Sequence, residues 1–419
     1  MQSTDSHTSS SGGPLRILFV SREYPPETGG GGIGSYVETM AQALAELGNE
    51  VHVLSCSEEQ ASEDRVVGDV HLHRRGVPRI LPKVRRRLPS TARRLEGAVA
   101  RYREYRRLGV DFDVVEAPDW LAEGLMFSLL GSRPLVVHLH TPFLLVGRHN
   151  PSSFRWTRDG HIADWIERLA VRRADLVTSP SRLLADDLAR EGWIGNHEPW
   201  IIRYPLNPEP WADLPPAEDA PARVLAVGRL EGRKAPEVLV RAAAILAPEL
   251  PDFEAIFVGR SSLHNGGSYK DWLVKLARRL SAPCRFIEEV RRDELTAWYG
   301  SSRVVALPSR YDNFPYVGLE AMAAARPLVC TNRTGTAEFL TESAAGTVVP
   351  ADDAEALASA LRPFLHDPAV AGRGGREALA LVGRECSPER IAEQREACYR
   401  EAMCRWATKR RAERATSQG

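Results

Sequence analysis

Two acidic residues with seven residues between them stand in the stretch "SRYDNFPYVGLEAMAAARP" (309–327): Asp312 and Glu320. The small apolar residues after Glu320 predict a helix that begins near Val317, so that Glu320 lies in its first turn and Asp312 in the preceding loop. A carboxylate can accept hydrogen bonds from two neighbouring hydroxyl groups, so this spacing suits two parts of one extended hydroxylated ligand. The alternative is a helix-capping Asp312 and a surface Glu320.

Two cations follow a predicted strand in "VGRLEGRKAPEVL", namely Arg229 and Lys234. They stand just before a predicted helix, and a helix N-terminus favours negative charge. A guanidinium fork and a point charge at that place suit a diphosphate. The alternative is a pair of solvated loop cations.

A glycine run stands in "REYPPETGGGGIGS", between the first predicted strand and the first predicted helix. Gly29, Gly31 and Gly34 satisfy GxGxxG, but "REYPPET" makes the loop too long for the tight turn of a dinucleotide-binding fold, and no GKS or GKT follows. Bare backbone N–H groups at a helix start would still favour an anion. A flexible glycine-rich turn is the alternative.

Strands alternate with helices along the chain, which predicts an α/β protein with two doubly wound, Rossmann-like domains facing across a cleft. The linker is recognised by its density of proline and acidic residues. The final helix starts at Ser387–Pro388, and we expect it to pack back toward the N-terminal domain. The predicted segments are a disordered tail (1–14), the N-terminal domain (15–205), the linker (206–222), the C-terminal domain (223–386), the final helix (387–408) and a second tail (409–419).

Composition excludes several classes of protein. Lys+Arg and Asp+Glu both number 55, so no net charge draws the chain to nucleic acid. The six cysteines form no metal-binding or disulfide pattern, which favours reduced thiols in a cytoplasmic protein. No apolar run approaches the roughly 20 residues of a membrane helix. The basic stretch 81–107 could contact a membrane surface, but we interpret it as a solvated helix and loop.

These motifs together resemble glycosyltransferase family 4, and the resemblance covers roughly residues 15–405. The matching stretches are "EYPPETGGGGIGSYVETMAQALAELGNEVHVLS", "VGRLEGRKAPEVLVRAA" and "PSRYDNFPYVGLEAMAAARPLV". The family's members are retaining, nucleotide-sugar-dependent enzymes of the GT-B fold. The resemblance therefore implies a nucleotide-sugar donor, with a UDP-sugar favoured, and a hydroxyl acceptor that the sequence does not identify.

The resemblance also implies roles for single residues. Glu320 would hold the ribose hydroxyls and Asp312 the transferred sugar. The family usually has Glu and then Gly or Ser where this chain has Asp312 and Asn313, and Gly where it has Ala235 after the diphosphate-binding lysine. The other residues implied to bind the donor are Gly31, Gly32, Gly34, Arg229, Lys234, Val290, Asn313, Phe314, Pro315 and Tyr316.

The strand end "VVHLHTP" offers two histidines, His138 and His140, which strand alternation places on one face. His140, just before Thr141 and Pro142, better matches the family's active-site histidine, and we expect His138 to be structural. With Asp312, Arg229 and Lys234, His140 completes the predicted catalytic set.

The predicted reaction moves a hexosyl unit from a nucleoside diphosphate sugar to a small-molecule, glycan or lipid-linked hydroxyl, with retention. Arg229, Lys234 and helix N-termini would stabilise the leaving diphosphate, so we expect no cofactor and no obligatory metal. A sugar-nucleotide epimerase or a phosphorylase on the same fold is the first alternative. An NAD(P)-binding oxidoreductase or a non-catalytic binding module is the second.

Overall fold

Short runs of aliphatic and β-branched residues form the central strands, as their composition predicts. The computed structural model describes residues 13–28, 31–57, 62–150, 155–264, 266–340 and 343–417. Apart from its last two residues, the predicted tail 1–14 lies outside this range, as does Gly29 of the glycine run. The predicted pair of doubly wound domains is present.

The described part of the N-terminal sheet has eight strands in the order β3-β4-β2-β1-β5-β6-β7-β8. All neighbours pair in parallel except the edge pair β3 and β4. The strands are β1 (Arg16–Val20), β2 (Glu50–Ser57), β3 (Glu63–Val67), β4 (Val70–Gly76), β5 (Val114–Pro118), β6 (Leu135–His138), β7 (Leu176–Ser179) and β8 (Trp200–Ile201). The helices are α1 (Gly32–Glu46), α2 (Pro82–Arg87), α3 (Pro89–Leu108), α4 (Leu125–Leu130), α5 (Phe143–His149), α6 (Arg158–Arg172) and α7 (Arg182–Arg190).

The main C-terminal sheet has six parallel strands among the described residues, in the order β13-β10-β9-β14-β15-β16. This is the doubly wound order 3-2-1-4-5-6. The strands, with the small hairpin β11–β12, are β9 (Arg223–Val227), β10 (Glu254–Val258), β11 (Leu263–His264), β12 (Gly267–Ser268), β13 (Cys284–Ile287), β14 (Val304–Leu307), β15 (Leu328–Thr331) and β16 (Gly346–Val349). The helices are α8 (Pro236–Leu246), α9 (Tyr269–Leu280), α10 (Arg292–Gly300), α11 (Tyr316–Ala323), α12 (Ala337–Leu340), α13 (Ala354–His366), α14 (Pro368–Cys386) and α15 (Pro388–Ser417).

Helix α15 leaves the C-terminal domain and packs on α1 and on strands β5 to β7 of the N-terminal domain. A buried network fixes it there, in which Tyr399 and Tyr36 donate to Glu116 (2.7 and 2.6 Å) and Arg395 lies 3.4 Å from the same carboxylate. Burying this charged pair is tolerable because each partner also has neutral hydrogen-bond partners.

The predicted end of this helix at 408, with a tail over 409–419, is wrong, because α15 continues to Ser417. The last turns are held by contacts that the sequence alone did not show. Trp406 donates to the carbonyl of Gly131 at 3.2 Å, and Arg410 donates to the carbonyls of Leu130 and Gly131 at the end of α4.

The basic stretch 81–107 forms α2 and most of α3, and the predicted solvated surface is wrong for α3. Its inner face buries charged residues, including Arg94, Glu96 and Arg101. Arg94 pairs with the buried Glu167 of α6 at 2.6 Å, so charge complementarity adds to the apolar packing of α3 on α6. No described helix is long and apolar enough to cross a bilayer.

Candidate active site

The predicted site residues lie at the carboxyl ends of the two sheets, where loops of both domains meet. His140 follows β6, the loop with Arg229 and Lys234 follows β9, and Asp312 follows β14. In doubly wound sheets, ligands bind at this edge.

Asp312 is buried, with 4% of its surface exposed, and it lies against two cations. Its Oδ1 accepts from Arg233 at 3.2 Å, and its Oδ2 accepts from Lys234. Burial by itself would raise the pKa of Asp312, but the charges of Lys234 and Arg233 outweigh it and hold the pKa below its usual value. The carboxylate is therefore ionised, and the helix-capping alternative is wrong because it touches these cations instead of the start of α11.

The loop 229–234 presents four charged side chains in different surroundings. Lys234 is largely buried, and burial lowers its pKa despite the opposing effect of Asp312. Arg229 keeps 62% of its side chain exposed and lies 3.4 Å from Glu231. Lys234 is thus committed to Asp312 in this state, while the Arg229 guanidinium faces solvent.

Arg233 is a site residue that the sequence analysis did not single out. It is buried and donates to the Tyr311 carbonyl at 3.0 Å, to Asp312 and to Glu231 at 2.9 Å. It positions Asp312 and the loop. Two arginines in "GRLEGRK" are equivalent by type, and only the fold shows that the second one turns inward.

Glu320 lies on α11, which begins at Tyr316, so the predicted first-turn position is wrong and the residue lies in the second turn. Its Oε2 accepts from the hydroxyl of Tyr299 on α10 at 2.9 Å. The two carboxylates therefore have separate partners, cations for Asp312 and a phenol for Glu320. Val290 precedes α10 and packs, partly buried, against the core that includes Tyr299.

His140 is buried beside Tyr204 and the loop after β5. Its Nδ1 lies 2.6 Å from the hydroxyl of Tyr204, and its backbone N–H donates to Asp119 Oδ1 at 2.9 Å. Burial, followed by the charge of Arg395, lowers the pKa of His140 to about 3. The imidazole is therefore neutral at physiological pH.

His138 is fully buried, with Nδ1 2.7 Å from Thr178 Oγ1 and 3.3 Å from Arg395. It stacks on Tyr36 with ring centroids 4.5 Å apart. These contacts belong to the network that holds α15, which agrees with a structural role.

Asp119, directly after β5, was also missed by the sequence analysis. It is fully buried, its Oδ2 has no hydrogen-bond partner among the described residues, and burial raises its pKa to about 8. A carboxyl group with a shifted pKa at the carboxyl edge of a sheet indicates a functional position. Its place at the carboxyl end of a strand, in "EAPDW", was the available signal.

The loop after Asp312 joins the two domains. The Asn313 side chain donates to the His140 carbonyl at 2.9 Å and lies 3.2 Å from the Tyr204 hydroxyl. Tyr316 stacks on Tyr204 at 5.1 Å, and Phe314 packs edge-on against it at 5.8 Å. Pro315 is the residue before α11. The side chains of Asn313, Phe314 and Tyr316 thus contact the N-terminal domain, and the expected contacts of this loop with the donor stay a prediction.

Further contacts hold the domains together around this loop. The Arg233 N–H donates to Asn150 Oδ1 at 3.0 Å, and Arg333 pairs with Asp187 at 2.8 Å. Gly335 lies so close to the Asn313 carbonyl that a Cβ would stand 1.7 Å from that oxygen. Any side chain here would push the loop away, so the glycine permits the close approach.

The glycine run faces the C-terminal domain from across the cleft. Gly31 is the N-cap of α1, and a Cβ on Gly32 would lie 3.8 Å from the ring of Tyr316. The N–H of Gly34 donates to Glu23 Oε2 at 3.3 Å. One of the expected bare N–H groups, that of Gly34, is therefore met by a carboxylate, in keeping with the preference of a helix N-terminus for negative charge.

Comparison with known proteins decides the family. Residues 30–209 match the family model "Glycosyltransferase Family 4", and residues 213–379 match "Glycosyl transferases group 1". The chain is 30% identical over 383 residues to the glycogen synthase of Mycobacterium tuberculosis, covering 87% of this chain and 89% of that protein. The chain is a member of glycosyltransferase family 4. The D-inositol 3-phosphate glycosyltransferase of an Arthrobacter species is 28% identical over 393 residues, which cover 87% of this chain and 90% of that protein.

Solved structures agree on the fold of this family 4 glycosyltransferase. Sucrose-phosphate synthase from Thermosynechococcus elongatus superposes with a TM-score of 0.74 and 22% identity over 93% of this chain and 99% of that one. The catalytic domain of starch synthase IV from Arabidopsis thaliana, bound to ADP and acarbose, superposes with a TM-score of 0.72. The two are 14% identical, and the match covers 94% of this chain and 100% of that one. The GT-B prediction is confirmed.

Ala235 stands where family 4 usually has glycine, and it adopts the left-handed conformation (φ 47°, ψ 46°). A non-glycine residue there costs about 1–2 kcal/mol relative to the right-handed region. A glycine at this position would avoid the strain. In this chain the strained residue, Ala235, directly follows Lys234.

Acid sensitivity of the fold should depend on His140. Its pKa is 6.5 in the unfolded chain and about 3 in the fold, so the unfolded state binds more protons between these values. The contribution of His140 to the free energy of unfolding is therefore fully present above pH 6.5. It is lost as the pH falls toward 3, by at most about 1.4 kcal/mol per pH unit. We expect the melting temperature of His140→Gln to fall less steeply than that of the wild type between pH 6.5 and 4.5.

Differential scanning fluorimetry across this range measures both slopes. Asp119, whose pKa is raised to about 8, contributes an opposite slope, but it is present in both proteins. Parallel curves for the wild type and His140→Gln would show that His140 is not held neutral.

Proposed function

We propose that this family 4 enzyme transfers a hexosyl unit from a nucleoside diphosphate sugar to a hydroxyl acceptor with retention of configuration. The observation that supports it best is the group of Lys234, Arg233 and Asp312 at the carboxyl edge of the C-terminal sheet. Exposed Arg229 and the glycine start of α1 lie around the same cleft. This arrangement suits a diphosphate joined to a hydroxylated sugar.

The proposed donor extends across the C-terminal domain. Glu320 binds the ribose hydroxyls, Asp312 binds the hydroxyls of the transferred sugar, and Arg229 and Lys234 bind the diphosphate. Because Lys234 is paired with Asp312, its ammonium is positioned between the sugar and the leaving group. Glu23 must yield the N–H of Gly34 if a phosphate oxygen takes its place.

The proposed acceptor approaches from the N-terminal domain, beside Asp119 and neutral His140. In front-face attack the leaving phosphate takes the proton of the acceptor hydroxyl, and no base with a tuned pKa is required. A neutral His140 fits this scheme as a hydrogen-bonding group that orients sugar or acceptor. Its Tyr204 contact and the Asp119 contact to its backbone would fix its orientation.

The donor class is tested by thermal shift with UDP-, ADP- and GDP-sugars and with NADPH. A ligand that binds the folded state raises the melting temperature, and at equal concentration the shift grows with the logarithm of its affinity. We expect a UDP-sugar to give the largest shift, while the ADP in the starch synthase IV structure makes ADP-sugars the first competitor. A shift with NADPH alone would contradict the proposal.

We also propose a cytoplasmic enzyme, on the basis of its six unpaired cysteines.

Transfer should not require a divalent metal, because fixed cations can stabilise the leaving diphosphate. The described residues contain no cluster of three or more potential metal ligands. After treatment with EDTA and desalting, we expect at least half of the rate of nucleoside diphosphate release to remain. Complete loss with EDTA, restored by Mg²⁺ or Mn²⁺, would overturn this part of the proposal.

A further inference from the structure

A cavity of about 400 Å³ lies in the N-terminal domain, away from the group of Lys234 and Asp312. It lies over the carboxyl ends of β1, β2 and β5, and α2 and α3 cover it. Its charged lining consists of five arginines and one carboxylate: Arg22, Arg79, Arg85, Arg93, Arg101 and Glu123. So strong an excess of guanidinium groups points to an anionic ligand.

Three of these arginines form no ion pair with a described carboxylate: Arg22, Arg79 and Arg93. Arg85 is neutralised by Glu96, and Arg101 has Glu123 at 3.5 Å. Burial, followed by the nearby charges of Arg22 and Arg94, lowers the pKa of Arg93, so the lining cation Arg22 acts unfavourably on it. An anion placed among them would relieve this repulsion.

Arg101 gives an independent indication. It is fully buried, and its Nε and Nη1 have no hydrogen-bond partner among the described residues, while its Nη2 contacts Cys56 and Glu123. Buried N–H groups without partners are unfavourable. A ligand with several acceptor oxygens would satisfy them.

The cavity adjoins the proposed acceptor side. Leu121, which lines it, is two residues from Asp119 and has a φ of 62°. Such strained backbone persists where the surroundings enforce it, often at ligand sites. Arg22 likewise precedes Glu23, which caps α1.

We propose that the acceptor carries a phosphate monoester, which binds in this arginine cavity while a hydroxyl of the same molecule lies beside Asp119. This inference rests on the proposed transferase function and adds the acceptor's class. A phosphate dianion accepts paired hydrogen bonds from guanidinium groups, and the volume accommodates a sugar or polyol monophosphate. Part of the basic stretch 81–107 thereby gains a role through Arg85, Arg93 and Arg101.

The test compares transfer to phosphorylated and unphosphorylated acceptors with the full-length enzyme and its best donor. The pairs are glucose 6-phosphate with glucose, fructose 6-phosphate with fructose, and inositol 1-phosphate with inositol. We expect at least a hundredfold higher kcat/KM for a phosphate ester than for its partner. Equal or higher kcat/KM for the unphosphorylated partners would overturn the inference.

The double variant Arg79→Ala/Arg93→Ala tests the cavity directly. Both side chains are exposed, so the fold should tolerate their loss. We expect KM for the phosphate ester to rise at least tenfold while kcat changes less. Arg86→Ala/Arg87→Ala removes the same charge from exposed positions outside the lining and is the matched control. Equal effects in both double variants would overturn the assignment.

Two further readouts separate the possible failures. UDP binding and slow donor hydrolysis by the wild type test the proposed function without an acceptor, so their absence counts against that function. Transfer only to lysophosphatidic acid in vesicles, which carries a phosphate monoester and one free hydroxyl, with no activity on any soluble ester, would overturn the assignment to a small soluble acceptor.

Discussion

Replacing Lys234 with alanine should lower kcat/KM for the donor by about 2–4 kcal/mol of transition-state stabilisation, or roughly 30- to 1000-fold. Two effects combine. The variant loses a cation beside the leaving diphosphate, and Asp312 loses the partner that holds its Oδ2. We expect Arg229→Ala to fall at the lower end of this range, because its side chain is 62% exposed and its charge is screened more strongly.

Steady-state release of nucleoside diphosphate measures both effects. Lys275→Ala removes an exposed lysine of the same domain and is the matched control, with turnover expected within twofold of the wild type. Near-wild-type turnover in both the Lys234 and Arg229 variants, with melting temperatures preserved, would remove these cations from the diphosphate site.

The second large effect should separate the two carboxylates. Glu320→Gln keeps the size of the side chain but removes the charge that would bind the ribose hydroxyls. We expect the affinity for the free nucleoside diphosphate to fall by about tenfold, the scale of one charged hydrogen bond. Asp312→Asn should leave that affinity within about threefold, reduce turnover at least a hundredfold and weaken discrimination between donor sugars.

The geometry adds a second consequence to Asp312→Asn. Removing one charge from a buried group leaves Arg233 without full compensation, so we expect a loss of stability of about 3 kcal/mol. Asp312→Glu restores both the charge and the residue usual in the family, and it should recover stability and turnover more than Asn does. Calorimetric titration of each variant with free diphosphate and with intact donor checks this. Equal losses for both ligands in Asp312→Asn would contradict the separation.

The sequence was sufficient for the doubly wound domains and for the loops that hold Asp312, Lys234 and His140. Parallel strands alternate with helices along the sequence. The crossover connections bring the carboxyl ends of these strands to the same edge of the sheet. Position after a strand is therefore sufficient to place these residues at that edge of the sheet. The same rule would have found Asp119 if the end of "FDVVEAP" had been weighed as a site.

The remaining features depend on contacts between segments far apart in sequence. Arg233 and Arg229 are alike by type, and only the packing of Tyr311 and Asn150 turns Arg233 inward. Donor binding by Asn313 stays a prediction, but the sequence does not show that its side chain also donates to the His140 carbonyl of the other domain. The arginines of α3 looked solvated because the sequence does not show Glu167 lying opposite Arg94.

The measurement that tests the central claim most directly is ¹H NMR of the first product formed from an α-linked nucleoside diphosphate sugar. The best donor from the thermal-shift screen is incubated with enzyme and acceptor, and the anomeric coupling is followed together with release of the diphosphate. Retaining transfer predicts an α-linked product that appears in step with one equivalent of nucleoside diphosphate. A β-linked product, a free sugar 1-phosphate, or an epimerised nucleotide sugar without acceptor transfer would contradict it.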